Sequence, residues 1–339
     1  MIIVLKPGIA KRDERAVLAE IRKLGYTPHV MRGVARTVIG AIGDELTHAN
    51  LETLTVRFPK SVESVTPIQK RYKLVSREAH PANSTIRVRE HTLGGRKFHV
   101  MAGPCSVESE SQLMKTAEAV QAAGATVLRG GAFKPRTSPY EFQGLGEKGL
   151  KLLAKARRVT GLAVITECLS EQHVDLVAEY TDIIQIGARN SQNFQLLIAA
   201  ARTGKPVLLK RGLSMRIEEW LLAGEYVLAN ENPNLLFCER GIRTFETYTR
   251  NTLDLAAIPI VKRESHSPVV IDPSQGAGRA DLVTTMCKGA VAMGADALLV
   301  EVHPNPAEAW SDGAQQVSLD VFANLMRELR PFIAAAGRE

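Results

Sequence analysis

Hydrophobic and polar positions along the first 70 residues alternate between two periods. Ile2–Leu5 is an apolar run that reads as a strand, and Glu14–Leu24 carries apolar residues at helical spacing. Pro28–Met31 and Thr37–Ile42 read as short strands about a turn centred on Gly33. A weaker helix is expected near Leu46–Val56, and Val62–Pro67 closes the unit. This β-α-β-β-α-β order is that of a split βαβ, ferredoxin-like module over residues 1–70. Residues 71–95, with Pro81, Asn83 and Ser84, read as a linker followed by a hairpin.

From Phe98 onward the pattern becomes a β-then-α unit that can be counted eight times. The strand candidates are Phe98–Ala102, Val127–Gly131, Ala163–Cys168, Ile183–Gly187, Pro206–Lys210, Leu235–Arg240, Val269–Asp272 and Ala297–Val302. Their apolar cores are nearly continuous, as in strands buried on both faces. Segments of 3.6-residue period lie between them, among them Glu110–Ala123, Lys148–Arg158, Ile217–Leu228 and Asp281–Met293, and Ser318–Ala335 follows the last strand. Eight alternations predict an α/β fold in which a (β/α)₈ TIM barrel over 96–339 follows a small α+β ferredoxin-like domain.

Composition narrows the class. Hydrophobic residues at 45% and charged residues at 23% suit a globular protein with a large core. Cys105, Cys168, Cys238 and Cys287 follow no short-range pairing pattern, which points to a reducing, cytoplasmic setting. Lys6 and Pro7 end the N-terminal apolar run too early for a signal peptide, and no stretch suits a membrane span. The net charge of +7 could suggest nucleic acid, but aromatics are only 5% and the arginines fall singly at strand ends. Anionic small molecules are the better partners for that distribution.

In such a barrel the residues at the C-terminal strand ends reach the active site. Those ends carry Cys105, then Arg129, Lys134 and Arg136, then Glu167, Arg189, Lys210 and Arg211, Arg240 and Arg243. Asp272 and Gln275, Glu301 and His303 follow, with Asp312 in the last loop. Cations converging on one mouth repel each other unless an anion binds there, and a guanidinium fork suits phosphate and carboxylate oxygens. Cys105 alone reads as a small buried hydrophobe; beside Glu301 and Asp312 on a neighbouring loop it becomes a candidate metal ligand. Gly144, Gly146 and Gly149 mimic a dinucleotide fingerprint but follow a loop and not a strand, so they read as helix-entry glycines.

The segments AGPCSVES (102–109), LRGGAFKPRTSPYEFQGLGEKGL (128–150), QIGARNSQNF (185–194), LLKRG (208–212), CERGIRTFE (238–246) and VEVHPNP (300–306) together resemble 3-deoxy-D-arabino-heptulosonate 7-phosphate (DAHP) synthase. With the N-terminal module, the chain is similar to the type Iβ branch. The resemblance implies a barrel enzyme, usually a homotetramer, that joins phosphoenolpyruvate to erythrose 4-phosphate at the entry to the shikimate pathway. It implies that Arg129, Lys134, Arg189, Lys210 and Arg240 hold phosphoenolpyruvate, and that Pro135, Arg136 and Thr137 receive the aldose phosphate. Lys134 is then the general acid and Glu167 a residue that orients water. The alternative is the related 3-deoxy-D-manno-octulosonate 8-phosphate synthase, which carries a different segment where this chain has Lys134-Pro135-Arg136-Thr137.

Two positions depart from the family. Its metal-ligating histidine at the end of strand seven is here Gln275, in Asp272-Pro273-Ser274-Gln275. The expected ligands are therefore Cys105, Gln275, Glu301 and Asp312 around a divalent ion, Mn²⁺ or similar. His303 or His266 could instead substitute, or the chain could be a non-catalytic ligand-binding homologue. In the N-terminal module His29 matches a family contact to inhibitory tyrosine, but Met31 stands where relatives carry serine.

Overall fold

The computed structural model describes residues 1–32, 37–43, 51–66 and 71–339. Contacts divide the chain into Met1–Arg71 and Tyr72–Glu339. The first unit has strands β1 (Ile2–Leu5), β2 (Thr27–Arg32), β3 (Thr37–Ile42) and β4 (Val62–Thr66) in the order β2-β3-β1-β4. All its pairings are antiparallel. Alternation along β1 sends Ile3 and Leu5 to one face, where they meet Val17 and Ile21 of the helix Lys11–Lys23. The spacing of four between those helix residues puts both on one stripe. The turn expected at Gly33, residues 46–50 of the second helix and Pro67 lie outside the described residues.

The second unit begins with an antiparallel hairpin, β5 (Ile86–Val88) and β6 (His91–Leu93). Eight parallel strands follow: β7 (His99–Gly103), β8 (Val127–Arg129), β9 (Ala163–Cys168), β10 (Ile183–Ile186), β11 (Val207–Lys210), β12 (Leu235–Glu239), β13 (Val269–Ile271) and β14 (Ala297–Glu301). The β14·β7 pairing closes the barrel. Side-chain period 2 splits every strand between two cores. Val100, Leu128, Val164, Ile184, Leu209, Phe237 and Val300 face the surrounding helices. Met101, Val127, Ile165, Ile183, Leu208, Leu236, Val270 and Leu299 fill the interior, together with Ile86, Val88 and Leu93 of the hairpin. The hairpin thus packs against the barrel's inner row and leaves the opposite, C-terminal end free for polar side chains.

Helix ends follow local chemistry. Ser109 caps Glu110–Ala122 and Ser318 caps Leu319–Ala335, each side chain accepting a backbone N–H in the first turn. One short helix, Pro273–Ala277, follows β13 directly; Asp272 is its N-cap and Pro273 its first residue. This helix, which hydrophobic periodicity is too short-ranged to reveal, sets the position of Gln275.

Candidate active site

The inner rows of the barrel end in charge. Two residues beyond Val127 stands Arg129, beyond Ile165 Glu167, beyond Leu208 Lys210, beyond Val270 Asp272, and beyond Leu299 Glu301. Period-2 alternation carries each of these to the same interior end as its apolar predecessor. Arg129, Lys134, Lys210 and Arg240 are all at least nine-tenths buried, although cations of this kind are seldom buried unless paired.

They meet at a cavity of about 380 Å³. Its wall includes Lys134, Pro135, Arg136, Thr137, Arg189, Lys210, Arg240, Arg243 and Arg250, and the carboxylates that line it among the described residues are Glu141, Glu167 and Asp312. Arg129 lies with Cys105, Lys134, Glu167 and Gln185 around a much smaller cavity. Some positive charge is compensated within the protein. Arg129 donates to Glu301 at 2.9 Å, Lys210 to Asp272 at 2.6 Å, and Arg136 lies 3.0 Å from Glu141. Burial alone would raise the Asp272 carboxyl, but Lys210 outweighs it and holds it below the usual carboxylate range. Compensation is incomplete. Among the described residues, Arg129 Nε and Arg240 Nη1 are buried without a hydrogen-bond partner, a condition that costs stability unless a ligand fills it. Burial pushes the Arg240 guanidinium below its ordinary value. Glu167 accepts from Gln185 at 3.2 Å, and Gly187 leaves it room, since a Cβ there would overlap its carboxylate.

Cys105, Glu301 and Asp312 place ligand atoms within 4.8 Å of one another, a thiol and two carboxylates of the kind that hold a divalent transition metal. The donor set fits such an ion. Burial raises the Cys105 thiol to about 11, and its Sγ donates toward Asp312 at 3.5 Å. Lys134 Nζ lies 3.0 Å from the same sulfur and donates to the Cys105 carbonyl at 3.1 Å. Asp312 is held in a left-handed backbone conformation (φ 48°), uncommon for a residue with a Cβ. A buried network keeps its loop against the Cys105 loop: Ser106 and Ser311 share a hydrogen bond of 2.8 Å, Glu108 accepts from the Trp310 N–H at 2.9 Å, and Gln316 accepts from the Cys105 N–H at 3.0 Å.

Gln275, expected as the fourth ligand, presents its Oε1 to Lys210 Nζ (3.2 Å) and Arg240 Nε (3.3 Å). His303 and His266 have other partners. His303 faces Glu108 at 3.2 Å and receives the Asn305 N–H, while His266 is engaged by Ser84 and the Leu74 carbonyl. Arg211, adjacent to Lys210 in sequence, is buried between Glu239 (2.9 Å) and Asp254 (2.8 Å). Arg250, which no motif signalled, reaches the cavity wall and lies 3.5 Å from Asp312. Gly146 caps the helix Glu147–Thr160, a helix-entry role and not a dinucleotide site. His29 is exposed on β2, in register with Gly40.

Known proteins agree with this architecture. The model of the DAHP synthetase I family matches residues 82–334, and that of the DAHP synthase ferredoxin-like domain matches residues 1–70. The phospho-2-dehydro-3-deoxyheptonate aldolase of Thermotoga maritima is 49% identical over 99% of both chains. A crystal structure of the Thermotoga maritima DAHP synthase superposes with a TM-score of 0.80 at 48% identity, covering 100% of this chain and 98% of that one. The 2-dehydro-3-deoxyphosphooctonate aldolase of Caulobacter vibrioides is more distant, 33% identical over 73% of this chain and 91% of its own. No helix among the described residues is long and apolar enough to cross a membrane. By both of its parts and by its full-length relative, the chain belongs to the DAHP synthetase I family.

Proposed function

We propose that this protein condenses phosphoenolpyruvate with erythrose 4-phosphate, giving 3-deoxy-D-arabino-heptulosonate 7-phosphate and inorganic phosphate. The observation that carries the reading is the pair of buried guanidinium atoms without partners, Arg129 Nε and Arg240 Nη1, beside a cavity whose cations outnumber its carboxylates. A small molecule bearing a carboxylate and a phosphate supplies the missing acceptors. Arg129, Lys134, Arg189, Lys210 and Arg240 bind phosphoenolpyruvate, while Pro135, Arg136 and Thr137 receive the aldose phosphate.

In the reaction C3 of phosphoenolpyruvate forms a bond to the aldehyde carbon. Lys134 gives a proton to the aldehyde oxygen as it becomes a hydroxyl. Burial opposes the Lys134 charge, but Cys105 and Glu301 outweigh it and hold the ammonium above its ordinary value. Water, oriented by Glu167, adds at C2; the C2–O bond to phosphate then breaks and leaves a ketone. The surrounding guanidinium groups stabilise the charge that develops on the departing phosphate. A divalent ion held by Cys105, Glu301 and Asp312, with Mn²⁺ the first choice, would supply Lewis acidity at the aldehyde oxygen. We further assign the protein to the cytoplasm as a homotetramer, with His29 a contact for an inhibitory aromatic amino acid.

The test is to supply purified protein with phosphoenolpyruvate and either erythrose 4-phosphate or arabinose 5-phosphate, following phosphate release with and without added Mn²⁺. Faster release with the four-carbon aldose is expected. Preference for arabinose 5-phosphate would make the protein an octulosonate 8-phosphate synthase. Binding of phosphoenolpyruvate without turnover of either aldose would make it a non-catalytic homologue.

A further inference from the structure

We propose that Gln275 is a positioning residue of the anion pocket and not a metal ligand: its carboxamide oxygen holds Lys210 and Arg240 as a pair. A metal ion is then left to three protein donors, Cys105, Glu301 and Asp312. The inference rests on the reading of the pocket given above and deepens it.

The backbone of Gln275 is fixed on both sides. Its N–H donates to Asp272 Oδ1 at 2.9 Å, and its carbonyl accepts from Asn251 at 2.9 Å. The other oxygen of Asp272 receives Lys210 at 2.6 Å, so one carboxylate ties the start of the Pro273–Ala277 helix to the lysine. The Gln275 side chain then returns to the same lysine, and to Arg240 Nε, through a single oxygen. A carboxamide oxygen has two lone pairs, and both are occupied here. Both occupants are cations. A divalent ion at that oxygen would have to displace them and stand beside two full positive charges, and a neutral amide offers no charge in return. An imidazole nitrogen has one lone pair and could not serve two donors at once, which is a reason for glutamine at this position.

The consequence lies in Arg240. Its Nε is anchored by Gln275 while its Nη1 is buried without a protein partner. The anchor fixes the plane of the guanidinium so that its unpaired edge is held ready for an oxyanion. The metal cluster is connected to the pocket by another route, the Arg129–Glu301 pair at 2.9 Å.

The experiment titrates full-length protein, freed of metal, separately with phosphoenolpyruvate and with Co²⁺, whose thiolate charge-transfer absorption reports binding at Cys105. Gln275→Met, with Gln275→Ala in parallel, is expected to weaken phosphoenolpyruvate about tenfold and to leave Co²⁺ affinity and the absorption band within about threefold of wild type. Cys105→Ser is expected to show the reverse, losing the band and the Co²⁺ affinity while still binding phosphoenolpyruvate. Loss of Co²⁺ affinity in the Gln275 variants comparable to that of Cys105→Ser, or unchanged phosphoenolpyruvate binding, would overturn the proposal alone. Wild type that binds no phosphoenolpyruvate would overturn the pocket reading and this proposal with it.

Discussion

Replacing Arg240 by leucine should cost binding and spare stability, whereas the same change at Arg211 should do the opposite. Both guanidinium groups are about 95% buried at the same end of the barrel. Arg211 donates from Nε to the Met215 carbonyl and from Nη1 to Glu239 and Asp254, with Trp220 beneath it at 5.9 Å. Removing it strands Glu239, which is 0% exposed, and breaking a buried pair of this kind costs about 3–5 kcal/mol. Among the described residues, the Arg240 guanidinium has one hydrogen bond, to Gln275 at 3.3 Å, and one buried nitrogen without a partner. Losing the bond costs about 1 kcal/mol, and relief of the unsatisfied donor returns about 1–3 kcal/mol. Arg240→Leu should therefore lie between unchanged and about 2 kcal/mol more stable in urea unfolding of the ligand-free protein. Affinity for phosphoenolpyruvate, measured by calorimetry, should fall by about 3 kcal/mol, roughly two orders of magnitude, because a desolvated charge pair is lost. An Arg240→Leu protein as destabilised as Arg211→Leu, or one that binds phosphoenolpyruvate within threefold of wild type, would refute the reasoning.

Three further outcomes follow from other parts of the barrel. Glu108→Gln weakens the link between the Cys105 and Asp312 loops, and Co²⁺ affinity should fall about tenfold with phosphoenolpyruvate affinity kept, as a titration of each would show. Burial pushes His99 down to about 4. The unfolded chain therefore takes up a proton near pH 6.5 that the folded one refuses, so the His99 contribution should lower stability by roughly 3 kcal/mol as pH drops from about 6.5 to 4, and change no further below that. Urea unfolding across that range should show a shallower slope in His99→Gln. Gly103→Ala would place a Cβ onto the backbone carbonyl of Arg129. With no flexible side chain to yield, it should lower the thermal midpoint by several degrees or prevent folding, as calorimetry would show.

Much of the barrel could be read because apolar runs ended in a single charge, as in Val127-Leu128-Arg129 and Leu208-Leu209-Lys210. Those runs located the strands, and period 2 located the charged ends. Neighbouring cations were harder to separate. Lys210 and Arg211 look equivalent in sequence, yet only Lys210 continues the inner row of Leu208, while Arg211 pairs behind it with Glu239. Arg250 could not be foreseen, because it reaches the cavity only when the chain folds back through the Ile242↔Thr252 bridge. The surroundings of Gln275 are hidden for a related reason. Residue type suggested a weak ligand, and only the Asp272-capped helix shows which cations its oxygen meets. The cue available beforehand was Asp272-Pro273 itself, a capping residue followed by a proline suited to the first helical position.

The barrel mouth gathers buried cations suited to a ligand that carries a carboxylate and a phosphate. A crystal structure of the protein with phosphoenolpyruvate tests this most directly. The ligand is expected in the cavity beside Lys134 and Lys210, with its oxygens within hydrogen-bond distance of Arg129 Nε and Arg240 Nη1. A ligand bound elsewhere, or one that leaves both of those nitrogens without a partner, would contradict it.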